Sequence, residues 1–254
     1  MKKIINIQIL IIVFPFIIFA CSPTNKIRDN ADAHYKLGLS YLDANEDAIA
    51  MKEFNRALSM KPNDAKVYYA IATFYLKKNQ IDMAKSNILK ALNIEPENSE
   101  YLNTYASILA VQGNQKEALK VWEKVEKDPT YPSIGIVYFN MGYAYSQLGL
   151  NDKAIGYLNK SIDENPNVIR PYIFLYNLFL SMNELSKAEE VLKRGINRNP
   201  LSPILKMELA MFYYNRGLFE NAAILFNDII DVSPNSDEAA KAKAYLKNMG
   251  LYYE

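Results

Sequence analysis

At 254 residues the chain has room for one or two domains, and half of it is hydrophobic, enough to bury a core. Its 29 Lys and Arg stand against 28 Asp and Glu, so a formal charge of +1 leaves no surplus of cations to displace counterions from a nucleic acid. One Cys and one His exclude an intrachain disulfide, a Cys/His zinc site and most nucleophile–base pairs, whereas 19 Tyr beside 9 Gly point to aromatic packing on helices.

Residues 1–20 read as a targeting segment. Lys2 and Lys3 form a positive start, and Ile4 to Ala20 is an almost wholly apolar run ending on small Ala20. Its 17 residues, at about 1.5 Å each in a helix, fall short of the roughly 30 Å hydrocarbon core, and Asn6, Gln8 and Pro15 weaken it further as a span. Ile18-Phe19-Ala20-Cys21 resembles the lipobox of bacterial lipoproteins, with Phe19 bulkier than the residue usual there. The resemblance implies cleavage before Cys21, lipidation of its sulfur and acylation of its new amine. Two or three acyl chains on one residue hold a protein stably on a membrane, which one chain does not. An uncleaved signal anchor and an ordinary signal-peptidase cut are the alternatives. Ser22 to Asn30 lack apolar periodicity and read with Cys21 as a tether, whose nine-residue coil spans about 17 Å and keeps the body near the lipid. By the same resemblance, Ser22 after the Cys favours the outer membrane, with the body facing the periplasm.

From Ala31 onward a period of 34 residues sets the architecture. Repeats beginning at Ala31, Ala65, Ser99, Gly135, Ile169 and Pro203 place Ala at position 20 in all six, from Ala50 to Ala222. Position 8 is small in five (Gly38, Ala72, Ala106, Gly142, Ala210), and position 32 is Pro in five (Pro62, Pro96, Pro166, Pro200, Pro234). Position 15 is always Gly or Asn: Asn45, Asn79, Gly113, Gly149, Asn183 and Gly217. Gly or Asn there supplies the left-handed conformation that ends a first helix. Small residues at 8 and 20 let two antiparallel helices approach, and Pro at 32 stops the second. Polar pairs such as Asn63-Asp64 and Asn235-Ser236 can then cap the next helix. The pattern resembles the tetratricopeptide repeat. It implies an all-α fold, a right-handed superhelical solenoid of six helix-turn-helix repeats over residues 31–236, namely 31–64, 65–98, 99–132, 135–168, 169–202 and 203–236. Residues 237–254 form a capping helix and tail, with acids early, lysines late and Gly250 as a stop.

Two departures stand out. The step from Ala106 to Gly142 is 36 residues rather than 34, across Lys127-Asp128-Pro129-Thr130-Tyr131-Pro132-Ser133. This is either a stiff connection that bends the superhelix between two sets of three repeats or a tolerated surface-loop insertion. Tyr176 occupies a small-residue position, and Gly195 in the same repeat is expected to offset its bulk, with a ligand notch as the second reading.

The lipobox, the repeat count, and the run Asp128 to Pro132 followed by Phe139-Asn140-Met141-Gly142 resemble the PilW/PilF family of type IV pilus biogenesis and stability lipoproteins. Where that family continues Tyr-Pro-Glu-Arg, this chain has Ser133-Ile134 after Pro132. The resemblance implies a pilotin, a lipid-anchored factor that binds secretin subunits and helps them assemble. The alternative is a repeat lipoprotein that docks or regulates cell-wall or other envelope enzymes.

Either role uses the inner groove, lined by positions 2, 5, 9 and 12 of each first helix. These positions give Tyr35, Leu39 and Leu42, then Tyr69 and Leu76, then Ile136, Phe139 and Tyr143, then Ile173 and Leu180, then Ile204, Met207, Met211 and Tyr214. Such a trough suits an amphipathic helix or extended peptide, although many of these side chains can equally pack a neighbouring helix. A carboxylate clamp of the kind found in eukaryotic repeat proteins is incomplete here. Asn140 and Arg170 match its pattern, but Asn103 and Phe174 replace its Lys and Arg, which leaves Arg170 and Asn177 as polar register-setters. His34 reads as a packing residue and Trp122 as core. No catalytic, metal or cofactor residue is nominated, and without Lys2 and Lys3 the mature body has 27 basic against 28 acidic residues.

Overall fold

A computed structural model describes residues 30–251. Cys21, the targeting segment and the tether up to residue 29 lie outside the described residues. Among those described there are thirteen α-helices and no strand. They run α1 (Ala31–Asp43), α2 (Asp47–Met60), α3 (Ala65–Lys77), α4 (Ile81–Ile94), α5 (Ser99–Val111), α6 (Gln115–Val125), α7 (Ile134–Gln147), α8 (Asn151–Glu164), α9 (Ile169–Ser181), α10 (Leu185–Arg198), α11 (Pro203–Tyr214), α12 (Phe219–Val232) and α13 (Asp237–Asn248). Odd and even helices pair as antiparallel hairpins, each hairpin stacks on the next, and α13 covers the last one. None of these helices is long and apolar enough to cross a membrane.

Every turn between paired helices is made the same way. Asn45, Asn79 and Asn183 have φ near +60°, and Gly113, Gly149 and Gly217 have φ between +72° and +82°. Each allows two backbone bonds that close the helix end, as in Asn45 N–H to the Leu42 carbonyl and Glu46 N–H to the Tyr41 carbonyl. Gly250 repeats the device after α13. The position-20 alanines are fully buried. At the facing positions a Cβ on Gly38 would lie 2.5 Å from the Phe54 ring, and one on Gly142 would lie 2.8 Å from Leu158 Cγ. Helices α2, α4, α8, α10 and α12 each end two residues before their Pro. Asn30, Asp64, Asn98, Ser202 and Ser236 cap α1, α3, α5, α11 and α13 with side-chain acceptors, whereas Val168 before α9 offers none.

The insertion after the third repeat is a largely exposed loop fastened at both ends. Helix α6 stops at Val125, and Tyr131 of the loop beyond it joins the main core, only 7% exposed. The Asp128 carboxylate accepts from the Ser99 hydroxyl and from both the hydroxyl and the N–H of Thr130, so the loop is pinned to the start of α5. Those bonds, that from Ser99 first, hold the Asp128 carboxyl below its ordinary value. On the other side Glu126 accepts from Tyr157 and from Lys160 Nζ at 2.9 Å, tying the end of α6 to α8. The core runs unbroken through this junction, from Leu102 to Leu246. Two smaller clusters precede it, one around Phe54 that joins α2 to α3 and one around Ile88 that joins α3 and α4 to α5. The α2–α3 seam is the thinnest between successive hairpins.

The second departure also resolves differently from expectation. The space left by Gly195 is filled by Tyr172, whose Cγ sits 3.1 Å from where a Cβ would be, and by Leu205. Tyr172 is fully buried and its hydroxyl donates to the Pro166 carbonyl. Tyr176 turns the other way and meets Phe212 of α11 edge-on, at 6.3 Å between ring centres. Gly195 therefore accommodates Tyr172, and Tyr176 is packed into the next repeat rather than open as a notch.

Candidate functional site

The groove positions sort into two groups. In the first two repeats the side chains are taken up by helix packing. Tyr35, Leu39 and Leu42 pack on the Phe54 cluster, and Tyr69 and Leu76 on the Ile88 cluster. At the far end Met207 is buried, Met211 is partly so, and Tyr214 is held edge-on between Phe219 of α12 and Tyr245 of the capping helix α13. These residues are taken into the packing of the three core clusters.

In the middle the structure assembles a cleft. Phe139, Asn140 and Tyr143 of α7 meet Arg170, Ile173 and Asn177 of α9 around three adjoining recesses of about 300, 210 and 270 Å³, to which Phe139 and Arg170 are common. Phe174 is the wedge between the two helices, 5.9 Å from the Phe139 ring and 5.4 Å from that of Tyr143. The Arg170 guanidinium lies 4.6 Å over the Phe139 ring, a cation–π contact that fixes its plane. The rim is apolar and open: Val111 is 61% exposed, Ile136 56% and Tyr143 40%. Among Ile136, Phe139, Asn140, Tyr143, Arg170, Ile173 and Asn177, only Phe139 is buried, and it forms the floor.

A chain of hydrogen bonds closes the inner face just before the cleft. Trp122 Nε1 donates to Asn103 Oδ1 at 2.9 Å, and Asn103 Nδ2 donates to the Tyr131 hydroxyl at 3.2 Å. Tyr131 and Tyr69 both donate to Glu100, at 3.2 and 2.7 Å. Burial, with the Glu100 charge behind it, pushes the Tyr131 hydroxyl up to about 12. Burial and the Glu100 hydrogen bond raise Tyr69 as well. Both hydroxyls therefore stay protonated and remain donors throughout the physiological range. Trp122 also forms part of the cleft wall, so this network holds one side of the site in place.

The groove positions of the repeat omit several wall residues: Ser107, Val111 and Gln115 from the α5–α6 hairpin, and Trp122. An exposed apolar residue at the last turn of a first helix, as Val111 is, was the available sign. His34 lies outside the cleft, buried and hydrogen-bonded through Nδ1 to Glu53 of α2. Among the described residues no group of three or more His, Cys, Asp or Glu is placed to hold a metal.

Family models described as tetratricopeptide repeat match residues 31–64, 53–86, 136–168 and 176–244, together more than half of the chain. The type IV pilus assembly protein PilF of Pseudomonas aeruginosa is 27% identical over 197 residues, covering 76% of this chain and 78% of PilF. A solved structure of Pseudomonas aeruginosa PilF superposes with a TM-score of 0.66 at 22% identity, over 85% of this chain and 97% of that one. The crystal structure of PilW, a type IV pilus biogenesis factor, gives 0.69 at 21% identity, over 83% and 97%. With the repeat models, the positive-φ turns and the stacked hairpins in agreement, the chain belongs to the tetratricopeptide-repeat family.

Proposed function

We propose that this chain is a lipid-anchored, non-enzymatic scaffold of the bacterial envelope. It holds a segment of a partner protein in the cleft over α5, α7 and α9, and the partner is a subunit of a type IV pilus secretin. The reading is carried by one observation: similarity to PilF runs through about three quarters of both chains, well beyond a pair of generic repeats. The cleft supports a polypeptide occupant, because it combines an open apolar rim with amides and one guanidinium, the mix that grips side chains and backbone together. The groove residues Ile136, Phe139, Asn140, Tyr143, Arg170, Ile173 and Asn177 contact the partner. Tyr35, Leu39, Leu42, Tyr69, Leu76, Met207, Met211 and Tyr214 shape the solenoid that presents them. The lipobox supports anchoring at Cys21, with the body on the periplasmic side of the outer membrane.

A photo-crosslinking amino acid placed at Ile136 or Tyr143 in the native host tests the partner. The expected product is an adduct with the secretin, lost when the crosslinker is moved to exposed Lys120 of α6. Adducts with cell-wall enzymes and none with secretin would remove the pilus role and leave an envelope adaptor. For the anchor, Cys21→Ala should shift the protein from the membrane to the soluble fraction or leave a precursor heavier by the targeting segment. Unchanged mass and partition would refute lipidation.

A further inference from the structure

We infer that the cleft reads charge: Arg170 clasps one Asp or Glu carboxylate carried on an otherwise apolar segment of the partner protein. This rests on the cleft being the partner site and adds the chemistry of its occupant.

Arg170 is common to all three recesses, is the single cation among the residues lining them, and shares them with no acid. Several surface lysines are paired with carboxylates of their own chain, as Lys78 is with Asp47 and Lys193 with Glu189. Arg170, among the described residues, has neither an ion pair nor a hydrogen bond. It is nonetheless positioned, since its guanidinium rests 4.6 Å above the Phe139 ring. A planar fork stacked on an aromatic face keeps its N–H donors along the edge and loses little freedom on gripping a carboxylate with two parallel bonds.

The surroundings narrow the occupant further. A basic segment is repelled, and a wholly apolar one would strip water from a charged group and return nothing for it. The exposed Val111, Ile136 and Tyr143 on the rim require apolar side chains on either side of the acid.

Random twelve-residue peptides displayed on phage, panned against the detergent-solubilised mature protein, test this. The most enriched sequence is then synthesised with its acid intact and as a Glu→Gln or Asp→Asn twin. Enriched peptides should carry an acid flanked by apolar or aromatic residues. The acidic peptide should bind at least about tenfold more tightly than its twin, a preference that shrinks as salt rises. Arg170→Gln should abolish that preference and Arg170→Lys should keep only part of it. Tyr143→Ala should weaken both peptides alike. Arg170 and Tyr143 are exposed, and unchanged circular dichroism and melting confirm that each variant is folded. Equal binding of the twins, or a preference that survives Arg170→Gln, overturns the charge reading. If Tyr143→Ala still weakens binding in that case, the cleft stands as the partner site. If no peptide is retained, or binding ignores both variants, the site and its charge specificity fall together.

Discussion

Replacing Gly142 by Ala asks whether the close approach of paired helices is as tight as the repeat demands. The added methyl would lie 2.8 Å from Leu158 Cγ and 3.2 Å from the Ala154 carbonyl oxygen, and both residues are fully buried. Leu158 can shift only into other core atoms, and the carbonyl only by moving α8, so overpacking should cost about 1–3 kcal/mol. The same substitution also removes a helical Gly, which by itself stabilises by about 0.5–1 kcal/mol. Gly156 supplies the control, being exposed in the middle of α8 with nothing within 4 Å of its notional Cβ. Gly156→Ala should therefore show the propensity gain alone, and the difference between the two variants isolates the clash. Thermal melts of the lipid-free chain by circular dichroism should place Gly142→Ala below Gly156→Ala by roughly 2–12 °C, at about 2–4 °C per kcal/mol for a chain of this size. If both variants rise together, or differ by less than about 1 °C, the α7–α8 contact is looser than this reasoning requires.

Three other outcomes are expected. Tyr131→Phe removes the hydroxyl that joins Asn103 to Glu100 and should destabilise by about 1–2 kcal/mol. Trp122 is the single Trp and its indole donates to Asn103, so its emission should shift in that variant, and unchanged emission would argue against a continuous network. At high pH, Tyr131 and Tyr101 are each pushed up to about 12, chiefly by burial, so the folded chain keeps protons that the unfolded chain loses near 10. The stability they contribute is intact below pH 10 and lost as pH climbs toward 12. Urea melts across that range should show the decline, and a flat profile would refute it. Finally, amide hydrogen exchange should open α1 and α2 before α5 to α12, because they share only a small core with α3 and the α2–α3 seam is thin. Uniform protection along the stack would contradict that order.

Much of the fold was legible in the sequence because its anchors answer local demands. A left-handed residue is needed wherever a first helix turns into a second, and only Asn or Gly meets that cheaply, so position 15 announces each turn wherever it occurs. The alanines at position 20 and the prolines after the second helices are similarly local. The fate of a groove position is not local. Tyr69 of α3 and Tyr143 of α7 are both groove residues, at positions 5 and 9, yet Tyr69 is claimed by Glu100 of the next repeat while Tyr143 is 40% exposed. That difference depends on which side chain the neighbouring helix presents, a relation that a 34-residue period averages away. Tyr131 shows the same limit. A loop rich in Pro reads as a connection, and only the folded chain shows its Tyr as a member of the core.

The placement of the cleft follows from how the cores divide. A site that grips a partner through a stacked guanidinium needs walls that do not move relative to one another, since Arg170 on α9 must stay over Phe139 on α7. Both helices belong to the core that runs from Leu102 to Leu246, and Trp122 and Gln115 of the opposite wall come from the hairpin at which that core begins. The pinned loop matters for the same reason. Were residues 126–133 a flexible hinge, the α5–α6 wall would swing against α7, and the recess bounded by Trp122 and Phe139 would not keep its shape. Asp128, Tyr131 and Glu126 tie the loop to α5 on one side and to α8 on the other, so the insertion joins the two halves of the cleft instead of separating them. The first two hairpins lie mostly on the smaller clusters across the thinnest seam, and no residue lining the recesses comes from them.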